Sequence, residues 1–335
     1  MRVHVTYTGG TIGMVDSPHG LVPGADLEGW LADLVDGTEL GHGITLTALD
    51  PLIDSSNATP ESWQAIIDDL RRHHGEDPEQ AFVVLHGTDT MAYTSAALSY
   101  ALTDLGAPVV ITGSQLPLGF VGSDAAPNVT GALRAATSGQ VDGVSLFFGH
   151  RLLAGNRATK TSSWAFKGLD SPNVAPLAMT GAPWQWSPRP EPGCGWADAK
   201  PYRRHDVVVI DLAPGITTAR LRAMLTPLPD AVVLRAFGVG NVPSEEPGLT
   251  ELIEEVIGAG VAVVVASQCH EAEVLLGHYE AGDAIARAGA IGSRDMTLEA
   301  TYAKVQFLLS QGLRGAELSA QMGRSIAGEL TESRG

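Results

Sequence analysis

Short apolar runs separated by helical stretches constrain this chain more than any other feature. VHVTYT (3–8), ITLTAL (44–49), AFVVLH (81–86), PVVIT (108–112) and GVSLFF (143–148) read as strands, rich in β-branched residues and bounded by turn residues. Between them, TPESWQAIIDDLRRHH (59–74) reads as a helix, with Thr59 as N-cap and Pro60 in its first turn. TMAYTSAALSYALTDLG (90–106) and SDAAPNVTGALRAATSG (123–139) read as helices that end at glycines. Such alternation predicts an α/β fold: a larger N-terminal, doubly wound, mostly parallel sheet.

Residues 181–204 are rich in Pro, Gly and Trp and carry no period, so a boundary falls there. The rhythm resumes with DVVVIDL (206–212), AVVLRAF (231–237) and GVAVVVASQ (260–268), with helices near 216–227, 248–259 and 297–311. The expected organisation is an N-terminal domain over 1–185, a linker over 186–204, and a smaller C-terminal α/β domain over 205–335. No internal repeat is visible.

In 335 residues, 44% of them hydrophobic, there is enough apolar material for a sizeable core. No apolar run is long enough for a membrane span. No basic segment followed by an apolar stretch precedes the first strand, and Cys194 and Cys269 are too few for a disulfide framework. A reduced, cytoplasmic setting is expected. The net charge of −17 argues against nucleic acid, which needs a basic footprint. Lysine is scarce: Lys160, Lys167, Lys200 and Lys304.

In open α/β sheets, ligands bind beyond the carboxyl ends of the strands. The first strand ends in Gly9-Gly10-Thr11; Asp54-Ser55-Ser56 follows the second; the third ends in His86-Gly87-Thr88-Asp89-Thr90. Any one tail fits simple helix capping; three neighbouring tails bearing hydroxyls fit a site. A dinucleotide fingerprint fails, because its first glycine position is Thr8 and MVDSPHGLVPG (14–24) reads as a loop rather than a helix. The phosphate-binding and serine-hydrolase glycine patterns are absent. The cysteines and the ten histidines show no zinc-type spacing, and His73-His74 reads as a solvated helix end. Two glycines leave the Thr11 hydroxyl exposed, where it becomes a nucleophile if a partner takes its proton. Thr88, Asp89 and Lys160, the last in NRATKTSS (156–163), supply the parts of a proton relay. A mobile lid loop over 13–25 is expected to exclude water.

Thr8-Gly9-Gly10-Thr11-Ile12 together with His86-Gly87-Thr88-Asp89-Thr90 resembles the paired signature motifs of bacterial-type L-asparaginases. The likeness continues through IDSSNATPESW (53–63), GNRATKTS (155–162), SPNVAPL (171–177), FGVGNVP (237–243), SQC (267–269) and IGSRDMTLEATYAK (291–304), most like the cytoplasmic type I branch. The resemblance implies hydrolysis of the side-chain amide of L-asparagine through a threonine acyl-enzyme, without a cofactor or metal, in a homodimer or homotetramer. It makes Thr11 the nucleophile and Thr88, Asp89 and Lys160 the second relay. Ser55, within Asp54-Ser55-Ser56, would hold the substrate carboxylate, and Asp89 its ammonium. Family lids carry a tyrosine where this chain has Leu21; Tyr7 or His19 would have to substitute, or turnover is weakened. The resemblance also permits an allosteric asparagine site near Cys269, although the cysteine itself reads as a buried core residue.

Three other functions fit parts of the pattern. The amidase subunit of a tRNA-dependent amidotransferase shares both motifs but adds an N-terminal domain, and the acidic charge disfavours tRNA. An amino-acid sensor would need Ser55 and Asp89 but neither Thr11 nor Lys160. A mixed glutaminase-asparaginase differs by one substrate methylene, a small handle for discrimination.

Overall fold

The apolar runs assemble as expected, most of them within a residue or two of their predicted ends. In the computed structural model, which describes residues 2–18, 20–40, 43–276 and 285–331, the chain forms two compact units. One comprises Met1–Pro190 with Trp196–Asp198, the other Glu191–Gly195 with Ala199–Gly335.

The first unit runs β1 (Val3–Tyr7), β2 (Met14–Ser17), β3 (Gly20–Pro23), α1 (Leu27–Val35), β4 (Ile44–Ala48), α2 (Pro60–Glu76), β5 (Ala81–Leu85), α3 (Met91–Ala101), β6 (Val109–Thr112), α4 (Ala125–Ala136), β7 (Val144–Phe148), β8 (Arg151–Ala154), β9 (Thr159–Lys160), β10 (Leu169–Asp170), β11 (Ala178–Met179) and β12 (Gln185–Trp186). Its main sheet has the order β12-β11-β8-β7-β6-β5-β1-β4. The strands from β4 to β7 are parallel; β8, β11 and β12 turn back antiparallel. Every residue of β1, β5 and β6 is buried, as parallel strands covered on both faces must be. Val3, Val5 and Tyr7 pack with Leu27 and Leu31 of α1 and Val129 and Leu133 of α4. The alternate residues His4 and Thr6 face α2, where Thr6 donates a hydrogen bond to Asp69. Helices therefore cover both faces.

Helix α2 starts as its sequence dictates: Thr59 is the N-cap, with a capping box to Ser62 and Pro60 in the first turn. The next two helices end sooner than expected, at Ala101 and Ala136. Gly106 and Gly139 lie beyond those ends, with φ +71° and +68°.

The stretch expected to be a loop over 13–25 is instead ordered by hydrogen bonding. Thr11–Gly13 makes one 3-10 turn, and β2 pairs antiparallel with β3, setting Val15 opposite Val22 and Asp16 opposite Leu21. Both strands are half-buried or exposed, so the ribbon leaves no hydrophobic alternation to read. His19 lies outside the described residues. The pair His73-His74 is not solvated: the His73 side chain is 15% exposed, and its ring stacks on His4 with centroids 3.6 Å apart.

The second unit runs β13 (Val207–Asp211), α5 (Thr218–Met224), β14 (Ala231–Ala236), α6 (Leu249–Gly258), β15 (Ala262–Ser267), β16 (Ile291–Gly292), α7 (Leu298–Ser310) and α8 (Gly315–Met322). Its four strands are parallel, in chain order across the sheet. Lys304, on α7, is fully buried and meets Glu329 at 2.5 Å. Cys269 is exposed, contrary to the core reading; it lies past the end of β15, where its N–H donates to Ser267 Oγ at 3.0 Å. No described helix is long and apolar enough to cross a membrane.

Candidate active site

Glycines let the strand tails of the first unit interlock. A Cβ on Gly9 would lie 2.3 Å from Ile53 O, and one on Gly10 would lie 2.5 Å from Gly87 N and Cα. Both glycines have positive φ, +125° and +95°, which glycine adopts without penalty. A Cβ on Gly87 would meet Ser55 Oγ at 2.4 Å, and one on Gly113 would meet His86 O at 2.2 Å. Hydrogen bonds lock the same contacts. Thr8 N donates to Leu85 O at 2.9 Å and Ile53 N to Thr8 O at 2.6 Å, while Thr90 Oγ1 donates to Ser55 O at 2.7 Å. The tails that follow β1, β4 and β5 thus touch backbone to backbone. Thr11 and Thr88 each directly follow one glycine of the Gly10–Gly87 contact.

Thr11 opens its 3-10 turn and is half-buried. Beneath that turn, Tyr7 Oη occupies the space of a Gly13 side chain, since a Cβ there would lie 2.1 Å from it. Burial pushes the Tyr7 hydroxyl up from its ordinary pKa, which keeps it protonated.

Lys160 arrives from β9, paired with Leu169 of β10. Arg151 steadies that hairpin through Asp170 Oδ1 and Leu169 O, both at 2.7 Å. Lys160 Nζ donates to Thr88 Oγ1 at 2.9 Å and to Asp89 Oδ1 at 2.7 Å. Thr88 is 7% exposed and the Asp89 side chain 62%. The Thr88 hydroxyl is therefore sheltered, and the Asp89 carboxylate faces outward, where a cationic ligand group can meet it.

The Asp54-Ser55-Ser56 stretch splits. Ser55 is buried against Gly87. Asp54 instead accepts from Ser56 N at 3.1 Å, Ser56 Oγ at 2.8 Å and Asn57 Nδ2 at 2.9 Å. The Ser56 hydroxyl, then the Ser56 N–H, hold the Asp54 carboxyl below its ordinary range. Asp54 and Ser56 are occupied with capping the turn that presents Ser55.

Two further residues belong to this neighbourhood. Gln115 follows β6; its Nε2 donates to Ala165 O at 3.0 Å and its Oε1 accepts a long 3.5 Å contact from Thr88 Oγ1. Asp124 holds the Gln115 backbone through both carboxylate oxygens at 3.0 Å. A fourth strand tail, GSQ, was its only sequence signal. His86 is fully buried, with Nδ1 donating to Gly87 O at 2.7 Å and Nε2 accepting from Thr94 at 3.0 Å. Desolvation pushes its pKa down, so it is a neutral strut rather than an acid or base.

Two hydroxyls, one ammonium and one carboxylate are thus held on rigid tails, a set suited to acyl transfer with proton shuttling. The carboxylate is already engaged by the ammonium, a poor donor set for a metal.

Family comparison agrees with this chemistry. A model described as "Asparaginase, N-terminal" matches residues 2–191, and one described as "Glutaminase/Asparaginase C-terminal domain" matches residues 206–322. The chain belongs to the asparaginase family. It is 40% identical to L-asparaginase 1 of Escherichia coli over 334 residues, covering 98% of each chain. It is 35% identical to the 60 kDa lysophospholipase of Homo sapiens, over 98% of this chain and 61% of that protein. The crystal structure of L-asparaginase I from Vibrio cholerae superposes with a TM-score of 0.88 at 38% identity, covering 99% of both chains.

Proposed function

We propose that this asparaginase-family chain hydrolyses the side-chain amide of L-asparagine to L-aspartate and ammonia, with Thr11 as nucleophile. The observation that carries the reading is the Lys160 ammonium bridging Thr88 Oγ1 and Asp89 Oδ1. Such a bridge lets a proton pass between the hydroxyl and the reacting centre with little charge separation. Thr11 Oγ1 attacks the amide carbon, and the C–N bond breaks as the nitrogen takes up a proton and leaves as ammonia. Water then cleaves the ester and returns the proton to Thr11. Backbone N–H groups on the interlocked tails stabilise the oxyanion. Ser55 holds the substrate carboxylate, Asp89 its ammonium, and Asp54 and Ser56 fix the Ser55 turn. No step calls on a cofactor.

A cytoplasmic homodimer or homotetramer belongs to the same proposal, resting on the family likeness and on two free cysteines. L-glutamine is one methylene longer than L-asparagine, a difference that a pocket discriminates by only about 10–200-fold, so a mixed glutaminase-asparaginase is the alternative reading. The test is ammonia release from both amino acids by the purified chain and by Lys160→Met. Release from asparagine that falls by about 10²–10⁴-fold in Lys160→Met supports the relay; an unchanged rate removes Lys160 from it.

A further inference from the structure

We propose that His4, Asp69 and His73 form a binding site for one divalent transition-metal ion of the zinc type, separate from the Thr11 site. The site joins β1 to α2, near the start of β1, whereas Thr11 lies beyond its carboxyl end. One ligand atom from each of the three residues lies within 4.8 Å of the other two. Asp69 Oδ2 is 3.7 Å from His4 Nε2, and Asp69 Oδ1 is 3.5 Å from His73 Nε2. Zinc bonds of about 2.0–2.1 Å give a tetrahedron with edges of about 3.3 Å; the two imidazoles face different oxygens of Asp69, so an ion must draw one oxygen and the two nitrogens together from separations of up to 4.8 Å.

The second observation is an unpaired nitrogen. His4 is 1% exposed, and its Nε2 finds no hydrogen-bond partner among the described residues. Its Nδ1 is engaged by Thr45 Oγ1 at 2.9 Å. His73 repeats the pattern in part: its Nδ1 is 3.3 Å from Glu76 Oε2, while its Nε2 is shared between Asp69 Oδ1 at 3.5 Å and Thr47 Oγ1 at 3.4 Å, a weak contact that an ion would replace. In metal sites the outer imidazole nitrogen donates to an oxygen and the inner lone pair binds the ion. Thr6 Oγ1, donating to Asp69 Oδ2 at 2.7 Å, orients the carboxylate in the same way.

Two features set what binding must change. Arg72 Nη2 holds Asp69 Oδ1 at 2.5 Å and competes with the ion for that charge. Its side chain is 53% exposed and also reaches Glu76 at 3.8 Å, so Glu76 can take it over. The two imidazoles are stacked at an angle of 26°, so binding must tilt the His73 ring out of the stack until its Nε2 lone pair and that of His4 converge on the ion. The carboxylate and two imidazoles make three protein ligands, and water completes the four.

The experiment uses the full chain. Cobalt(II) is titrated in while its visible absorption is followed, zinc is used to displace it, and melting is recorded with and without zinc. Expected are one ion per chain and a Tm that rises with zinc. His73→Ala, a change in the last turn of α2, should weaken binding about tenfold or more while melting without metal stays cooperative. Arg72→Gln should tighten binding. Absence of saturable one-to-one binding overturns the proposal, as does equal affinity in His73→Ala or weaker affinity in Arg72→Gln.

Discussion

Adding one methyl group at Gly87 separates packing from chemistry. Its backbone is not in the left-handed region, so Gly87→Ala introduces no strain of its own. The new Cβ would stand 2.4 Å from Ser55 Oγ, 2.7 Å from Ser55 Cβ and 3.3 Å from Gly10 Cα. Carbon contacts settle near 3.5–4.0 Å, so Ser55 must retreat by about 1 Å. Overpacking of this kind costs about 1–3 kcal/mol. In a unit of this size each kcal/mol lowers the Tm by about 2–4 °C. A displacement of about 1 Å in a substrate-positioning group costs about 100-fold in rate. The assay pairs a thermal melt with kcat and KM for ammonia release from L-asparagine. Gly87→Ala should lower both Tm and kcat/KM. Gly87→Ala with Ser55→Gly removes the colliding atoms, so Tm should recover while kcat/KM stays low, since the hydroxyl proposed to hold the substrate carboxylate is gone. Native Tm and KM in Gly87→Ala would refute the tight Gly87–Ser55 contact; full catalytic recovery in the double variant would refute the role of Ser55.

Three further outcomes are expected. Lys304→Met strands the Glu329 carboxylate, fully buried and otherwise met by the N–H groups of Ile326 and Ala327, and should cost about 3–5 kcal/mol; adding Glu329→Gln should restore part of the lost Tm. Leu21→Tyr places a phenol on the exposed ribbon strand β3, at the position where the family resemblance implies a lid tyrosine, and should raise kcat; an unchanged rate would show that Leu21 does not limit turnover. His86 has a pKa lowered by burial, so the unfolded chain takes up a proton that the folded one refuses. Stability then falls as pH drops below about 6.5, by at most about 1.4 kcal/mol per pH unit for this group. Melts from pH 7.5 to 5.5 should show a shallower slope in His86→Gln by about one proton.

The legible parts of the fold were those whose burial is symmetric. β5 and β6 are covered on both faces, so their sequences are near-continuous apolar runs with sharp ends; β1 is as buried but carries His4 and Thr6 toward α2. Helix α2 announced itself through Thr59 and Pro60. The ribbon β2–β3 was illegible because its residues gain hydrogen bonds without burial, and Pro18 spoke for a loop. Helix α1 carries a weaker signal, Leu27, Leu31 and Val35 at helical spacing behind an Asp26 cap, which Gly29 interrupts. β9 to β12 are two residues each, too short for any period. At the candidate site, hydroxyls, a carboxylate and glycines at strand ends pointed to Thr11, Ser55, Thr88 and Asp89, and the structure places them on neighbouring tails. The partition of Asp54 and Ser56 into capping and the approach of Gln115 to Thr88 depend on side-chain direction, which strand ends do not encode. The His4–His73 stack joins residues 69 apart in the chain and left no local pattern.

The most direct test of the central claim is ammonia release from L-asparagine by the purified chain beside Thr11→Ala, with intact-protein mass after rapid acid quench. The expected result is release by the native chain, an aspartyl adduct on it, and neither in Thr11→Ala. Release that persists undiminished in Thr11→Ala, or an adduct carried by another residue, would contradict the assignment of Thr11 as nucleophile.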